Sequence, residues 1–107
     1  MGFVDAKNEM TFGKKISDVK GAVKSTISHF GWKIIDEKGN TLECSRPTGL
    51  IIGSNIMISL KSVGNKTNVE INVRSKLGAL GMLGGNLQSR LYVKQFFDEL
   101  SKRVAAL

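Results

Sequence analysis

The sequence predicts a two-layer α+β domain: an antiparallel four-stranded meander, with room for an extra N-terminal edge strand, and two helices on one face. Three observations predict it. Two stretches carry apolar residues at three- and four-residue steps, four short runs between them alternate apolar and polar residues, and Gly-Asn pairs punctuate those runs. At 107 residues the chain has length for one domain, residues 1–107, around one core.

In chain order, "EMTF" allows a further edge strand ahead of the first helix. Ile16, Val19, Val23, Ile27 and Phe30 then form an apolar stripe, filled by Ala22 and Thr26, that predicts a helix from about Ser17 to Phe30. Ser17 is a candidate cap for its start, and Gly31 stands where a left-handed residue would end it. The runs "WKIID" and "TLECSR" follow, separated by a segment ending Gly39-Asn40, and then "NIMISLKSV" and "TNVEINVRS", separated by Gly64-Asn65-Lys66. Each Gly-Asn pair signals a hairpin, because both residue types tolerate positive φ. Alternation puts Trp32, Ile34, Leu42, Cys44, Ile56, Ile58, Leu60, Val69, Ile71 and Val73 on an apolar side. Thr41, Glu43, Ser45, Ser59, Lys61, Glu70, Asn72 and Arg74 fall on a wet one, as in a sheet covered on a single face. A second helix is expected from about Asn86, with Val93, Phe96, Phe97, Leu100, Val104 and Leu107 as its stripe and Leu87 and Leu91 well off it. The order is therefore (β)-α-β-β-β-β-α.

Composition narrows the class. A chain that is 41% hydrophobic and 23% charged is expected to fold. No apolar run approaches the roughly 20 residues that span a bilayer. "MGFVDAKNEM" lacks a basic start followed by an apolar stretch, and Ala6 stands where a myristoylation motif after Gly2 wants Ser or Thr. A cytoplasmic location is the expectation. The single cysteine, Cys44, forms no internal disulfide, which fits a reducing compartment. The net charge of +7, with a pI near 9.8, raises nucleic acid or anionic lipid as partners. Yet the basic residues are scattered from Lys7 to Arg103, with adjacent pairs only at Lys14-Lys15 and Lys102-Arg103, which favours a solvated basic surface.

Catalytic motifs are weak. In "SKLGALGMLGGNLQSR" Gly85 is followed by Asn86-Leu87, so the Lys and hydroxyl of a Walker loop are missing. Gly78, Gly81 and Gly84 do not have dinucleotide spacing, and Gly81-Met82-Leu83-Gly84 lacks the basic interleaving of a KH loop. Double-stranded-RNA-binding domains share the helix placement only, since "NLQSRLYVKQ" has no lysine cluster. His29, the single histidine, and Cys44 sit on separate elements without a third member for a metal site or a nucleophile. Asp36-Glu37 and Asp98-Glu99 are paired carboxylates with no sign of facing each other. No enzyme, cofactor or metal is expected.

In a simple meander, the connections "RPTGLIIGS" and "SKLGALGMLGGN" leave from one end of the sheet, and the Gly31-Trp32 junction falls there too. That end collects the candidate partner-binding residues Trp32, Leu50, Ile51, Ile52, Leu80, Met82, Leu83, Leu87 and Leu91. Folded back, these loops are a lid over the core; left open, they are an apolar patch that calls for a partner. Glycines and Met82 would let such a surface adapt its shape.

The run "GWKIIDEKGNTLECSRPTGLIIGSNIMISL…VRSKLGALGMLGGNLQSRLYVKQFFDEL" resembles small bacterial α+β domains that have no assigned activity. They share a helix ending in Gly-Trp, a hairpin, an apolar link, a strand ending in Ser-Lys, a loop and a long closing helix. A looser likeness is to helix-grip domains, in which a long C-terminal helix lies across a curved sheet and encloses an apolar ligand. Three readings follow. The first is a non-catalytic module binding a protein partner, or another copy of itself, through residues 47–54 and 76–86. The second is a basic domain for nucleic acid or an anionic surface, and the third a helix-grip-like domain for a small apolar ligand.

Overall fold

The computed structural model describes residues 4–46, 54–75 and 85–107, with side chains described at 7–45, 55–73 and 90–107. Its elements are β1 (Val4–Phe12), α1 (Ile16–His29), β2 (Lys33–Lys38), β3 (Thr41–Arg46), β4 (Ser54–Val63), β5 (Lys66–Ser75) and α2 (Gly85–Ala105). The strands form one antiparallel sheet in the order β1-β5-β4-β3-β2. The predicted order is the observed one. The N-terminal strand is longer than "EMTF" and closes the sheet against β5, with Phe12 opposite Thr67.

Local chemistry sets the element ends. The cap of α1 is Lys15, whose backbone is extended and whose carbonyl accepts from the N–H groups of Asp18 and Val19. Ser17 lies inside the first turn, so it is not the cap that the sequence suggested. Lys14, just before the helix, is held to the sheet by the Thr67 hydroxyl, which donates to its carbonyl at 2.8 Å. At the other end Gly31 is left-handed, at φ +74°. Its N–H donates to the Ser28 carbonyl and the Trp32 N–H to that of Ile27, the paired bonds of a Schellman end. The Gly-Trp pair is thus a helix stop that turns the indole back onto the core.

Both hairpins have two-residue loops, between Lys38 and Thr41 and between Val63 and Lys66. Gly39 and Gly64 have φ near +60°, and no non-glycine residue does so among those described. Only the first loop residue is left-handed, the mark of a type II′ turn, so Asn40 and Asn65 do not use the tolerance that pointed to them.

Core side chains come from the inner sheet face and both helices. Leu42, Cys44, Ile56, Ile58, Val69 and Ile71 are fully buried beneath Val19, Val23 and Ile27 of α1 and Phe96 and Leu100 of α2. Burial of each large apolar side chain stabilises by roughly 1.5–3 kcal/mol. Two expectations are corrected here. Leu107 lies past the end of α2 and is exposed. Ile34 sits opposite Cys44 as alternation required, yet it is 40% exposed because β2 is an edge strand. A bulge between Ile34 and Asp36 then shifts the register, and Glu37 comes opposite the inward Leu42. That puts the Glu37 carboxylate within 2.9 and 3.0 Å of Lys20 and Lys24 on α1.

Candidate binding end of the sheet

Register alone assembles this end. Arg46 pairs with Ser54 and Ser54 with Ser75, so the two long connections depart from β3 and β5, on either side of β4, at one end of the sheet. Lys33 pairs with Ser45 and Val4 with Arg74, bringing the β2 and β1 starts to the same end. The strand ends that flank the two long connections thus lie together, as a meander requires.

The floor is aromatic. Trp32 is 8% exposed and stacks on Phe96 with centroids 5.3 Å apart and planes 8° from parallel. Phe30 stacks on Trp32 at 5.4 Å, and Phe97 meets Phe96 edge-on at 6.0 Å. Such pairs add about 0.5–1.5 kcal/mol each beyond the area they bury. Trp32, a partner-binding candidate in the sequence, is thus a buried member of the core stack. Leu91, on α2, is 51% exposed, and Ile34 and Ile35 on β2 add exposed apolar surface that the sequence reading did not count as site. Leu50, Ile51, Ile52, Leu80, Met82 and Leu83 lie outside the described residues, and of Leu87 only its place in α2 is described. One residue into β4, the Asn55 side-chain oxygen is buried and accepts no hydrogen bond from the described residues.

Several polar side chains that could carry chemistry are engaged with one another. His29 Nε2 lies 3.9 Å from Glu99 Oε1, while Arg103 reaches Glu99 Oε2 at 2.9 Å and donates to the Ser25 hydroxyl at 2.7 Å. These four residues strap α1 to α2. Burial, with a smaller push from Glu43, drives the Cys44 thiol up to about 11. Hydrogen bonds from Lys20 and then Lys24 hold the Glu37 carboxyl below the ordinary carboxylate value. Asp36 lies 3.9 Å from Lys38 and belongs to the turn side of β2. Among the described residues no three His, Cys, Asp or Glu side chains are grouped as metal ligands would be, and no helix is long and apolar enough to cross a membrane. Among the described residues, two open grooves flank α2. One, of about 460 Å³, lies against α1 beside Gly21, Ala22 and Arg103, and one, of about 210 Å³, lies against β1 beside Asn8, Met10 and Phe97.

No protein-family model and no curated protein matches the chain. Solved structures do resemble it. TTHA0849 from Thermus thermophilus is 13% identical with a TM-score of 0.54, over 94% of this chain and 97% of that one. CalU16 from Micromonospora echinospora is 14% identical with a TM-score of 0.53, over 94% and 83%. Ara h 8.0201, a Bet v 1-like protein, is 10% identical with a TM-score of 0.50, over 100% and 99%. At these identities the likeness is one of fold, and it is consistent with a helix-grip-like architecture.

Proposed function

We propose that the domain is a non-catalytic binding module whose loop end, residues 47–54 and 76–86, takes apolar side chains of a protein partner. The observation that carries this reading is the convergence of Arg46, Ser54 and Ser75, the strand ends that flank both apolar connections, at one end of the sheet. Exposed Leu91 on α2 supports it, since large apolar patches on monomers generally have a partner. A second reading, a small apolar ligand gripped between α2 and the sheet, is favoured by the helix-grip-like neighbours. The basic-surface reading has less support, because Lys7, Lys20, Lys24 and Arg103 are each near a carboxylate.

Titration with the apolar dye anilinonaphthalene sulfonate, followed by amide chemical shifts, tests the site. Shifts clustering at Trp32, Asn55 and Leu91, and binding that holds as salt rises, are expected. Shifts elsewhere, or binding that collapses with salt, would reject the apolar end and promote the basic surface. Dodecanoate separates the first two readings: an enclosed ligand gives slow exchange and changes Trp32 emission, whereas a surface site gives weak, fast-exchanging contacts.

A further inference from the structure

The sheet has two edges, and they are not alike. β2 is interrupted by its bulge at Ile34 and Asp36, and charges at Lys33, Asp36, Glu37 and Lys38 guard it. Bulges and charges of this kind keep an edge from pairing. β1 is longer, and from Ala6 to Phe12 its register against β5 is unbroken. Lys7 through Thr11 are all exposed.

The Glu9 N–H donates to the side chain of its neighbour Asn8 at 2.9 Å, so it points away from β5. Alternation in an antiparallel ladder then turns the backbone groups of Lys7 and Thr11 to the same open side. The Glu9 carboxylate stands opposite Glu70 in the register. Glu70 already has Lys7 at 3.9 Å and a hydrogen bond from the Asn72 amide, whereas Glu9 has no ion pair among the described residues. Like charges directly opposed on a sheet are unfavourable, so Glu9 wants a cation on its free side.

We propose that β1 is a two-fold interface between copies of this chain, pairing antiparallel about Asn8 to make one ten-stranded sheet. That register sets Lys7 opposite Glu9 of the second copy, and Glu9 opposite its Lys7. Both residues turn their backbone groups outward, so this is the pair that exchanges both main-chain bonds. The charges are complementary twice over, and each Glu9 gains the cation that its own sheet denies it. An incoming carbonyl replaces the Asn8 side chain on the Glu9 N–H, and the two freed Asn8 amides meet across the axis. The same axis runs the two α2 helices antiparallel on one side of the sheet. Arg90, Lys94 and Asp98 lie in a row beside β1, so the facing flanks carry both signs.

Sedimentation velocity on the full chain at high micromolar concentration tests this. A dimer is expected, with Lys7→Glu and Glu9→Lys each weakening it by about tenfold or more, since every cross-strand ion pair becomes a repulsion. Mixing the two variants restores opposite charges at both positions and should recover a heterodimer. A monomeric parent overturns the proposal. So does a dimer indifferent to both reversals, and failure of the mixture to re-associate overturns the register. Circular dichroism checks the fold of each variant. If either unfolds, amide exchange of the parent decides: Lys7, Glu9 and Thr11 should gain protection with concentration, and unchanged rates reject the interface.

Discussion

Trp32 shows how much one residue can settle. It ends α1 through its N–H, and its ring lies nearly parallel to Phe96. Trp32→Ala should cost about 3–5 kcal/mol in denaturant unfolding while emission of the parent stays blue of the solvated limit. Gly31→Ala should cost about 1–2 kcal/mol for a different reason, because a Cβ crowds the backbone at φ +74° even with open space around it. Cys44 makes an opposite kind of prediction. With its thiol raised to about 11 by burial, it should react with a disulfide reagent at pH 8 far more slowly in the native chain than in urea. Because the folded value lies above the ordinary 9.0, stability should fall as pH rises from 9.0 towards 11, and Cys44→Ala should flatten that limb. The Trp32 and Cys44 placements were legible from a stripe followed by Gly-Trp and from strict alternation. Ser17 was not, because a serine one position inside a helix looks the same in sequence as one that caps it.

At the scale of elements, β2 is where periodicity failed. A period of two sets Ile34 opposite Cys44 but cannot tell that an edge strand leaves it exposed, nor announce an extra residue, and the bulge reassigns everything after it. The carboxylate of Glu37 is thereby delivered to Lys20 and Lys24, a link between β2 and α1 that no spacing in the sequence displays. Its pKa is lowered in the fold, so its contribution is complete above the ordinary carboxylate value and fades as pH falls through the native one. Glu37→Gln should make the melting temperature less sensitive to acid over that window. The β1 edge was half visible: "EMTF" marked a strand, but its free side emerges only once β5 is known to lie on the other. Turn chemistry was the most legible of all, since glycine at the first loop position has few alternatives.

On the scale of the whole molecule, two surfaces at different places should behave independently. Leu87→Ser with Leu91→Ser should leave the fold and any β1-paired dimer intact while removing dye binding at the loop end, and a loss of dimer instead would put self-association at that end. The architecture was legible because one sheet face is consistently apolar; the loop end was legible only as composition, for glycines and leucines do not state how they pack. The strand order has one more consequence, and it concerns time. β2 to β5 are joined in sequence, so their pairings close over short stretches of chain, whereas β1 must find β5 across all of α1 and the meander. Closing a long loop is entropically slow, so β1 should dock after the rate-limiting step. In a chevron plot Met10→Ala should speed unfolding and barely change refolding, while Ile58→Val should slow refolding. A newly made chain then passes its final moments of folding with the flank of β5 bare, and the strand that covers it last is the first to be shed when the native state unravels.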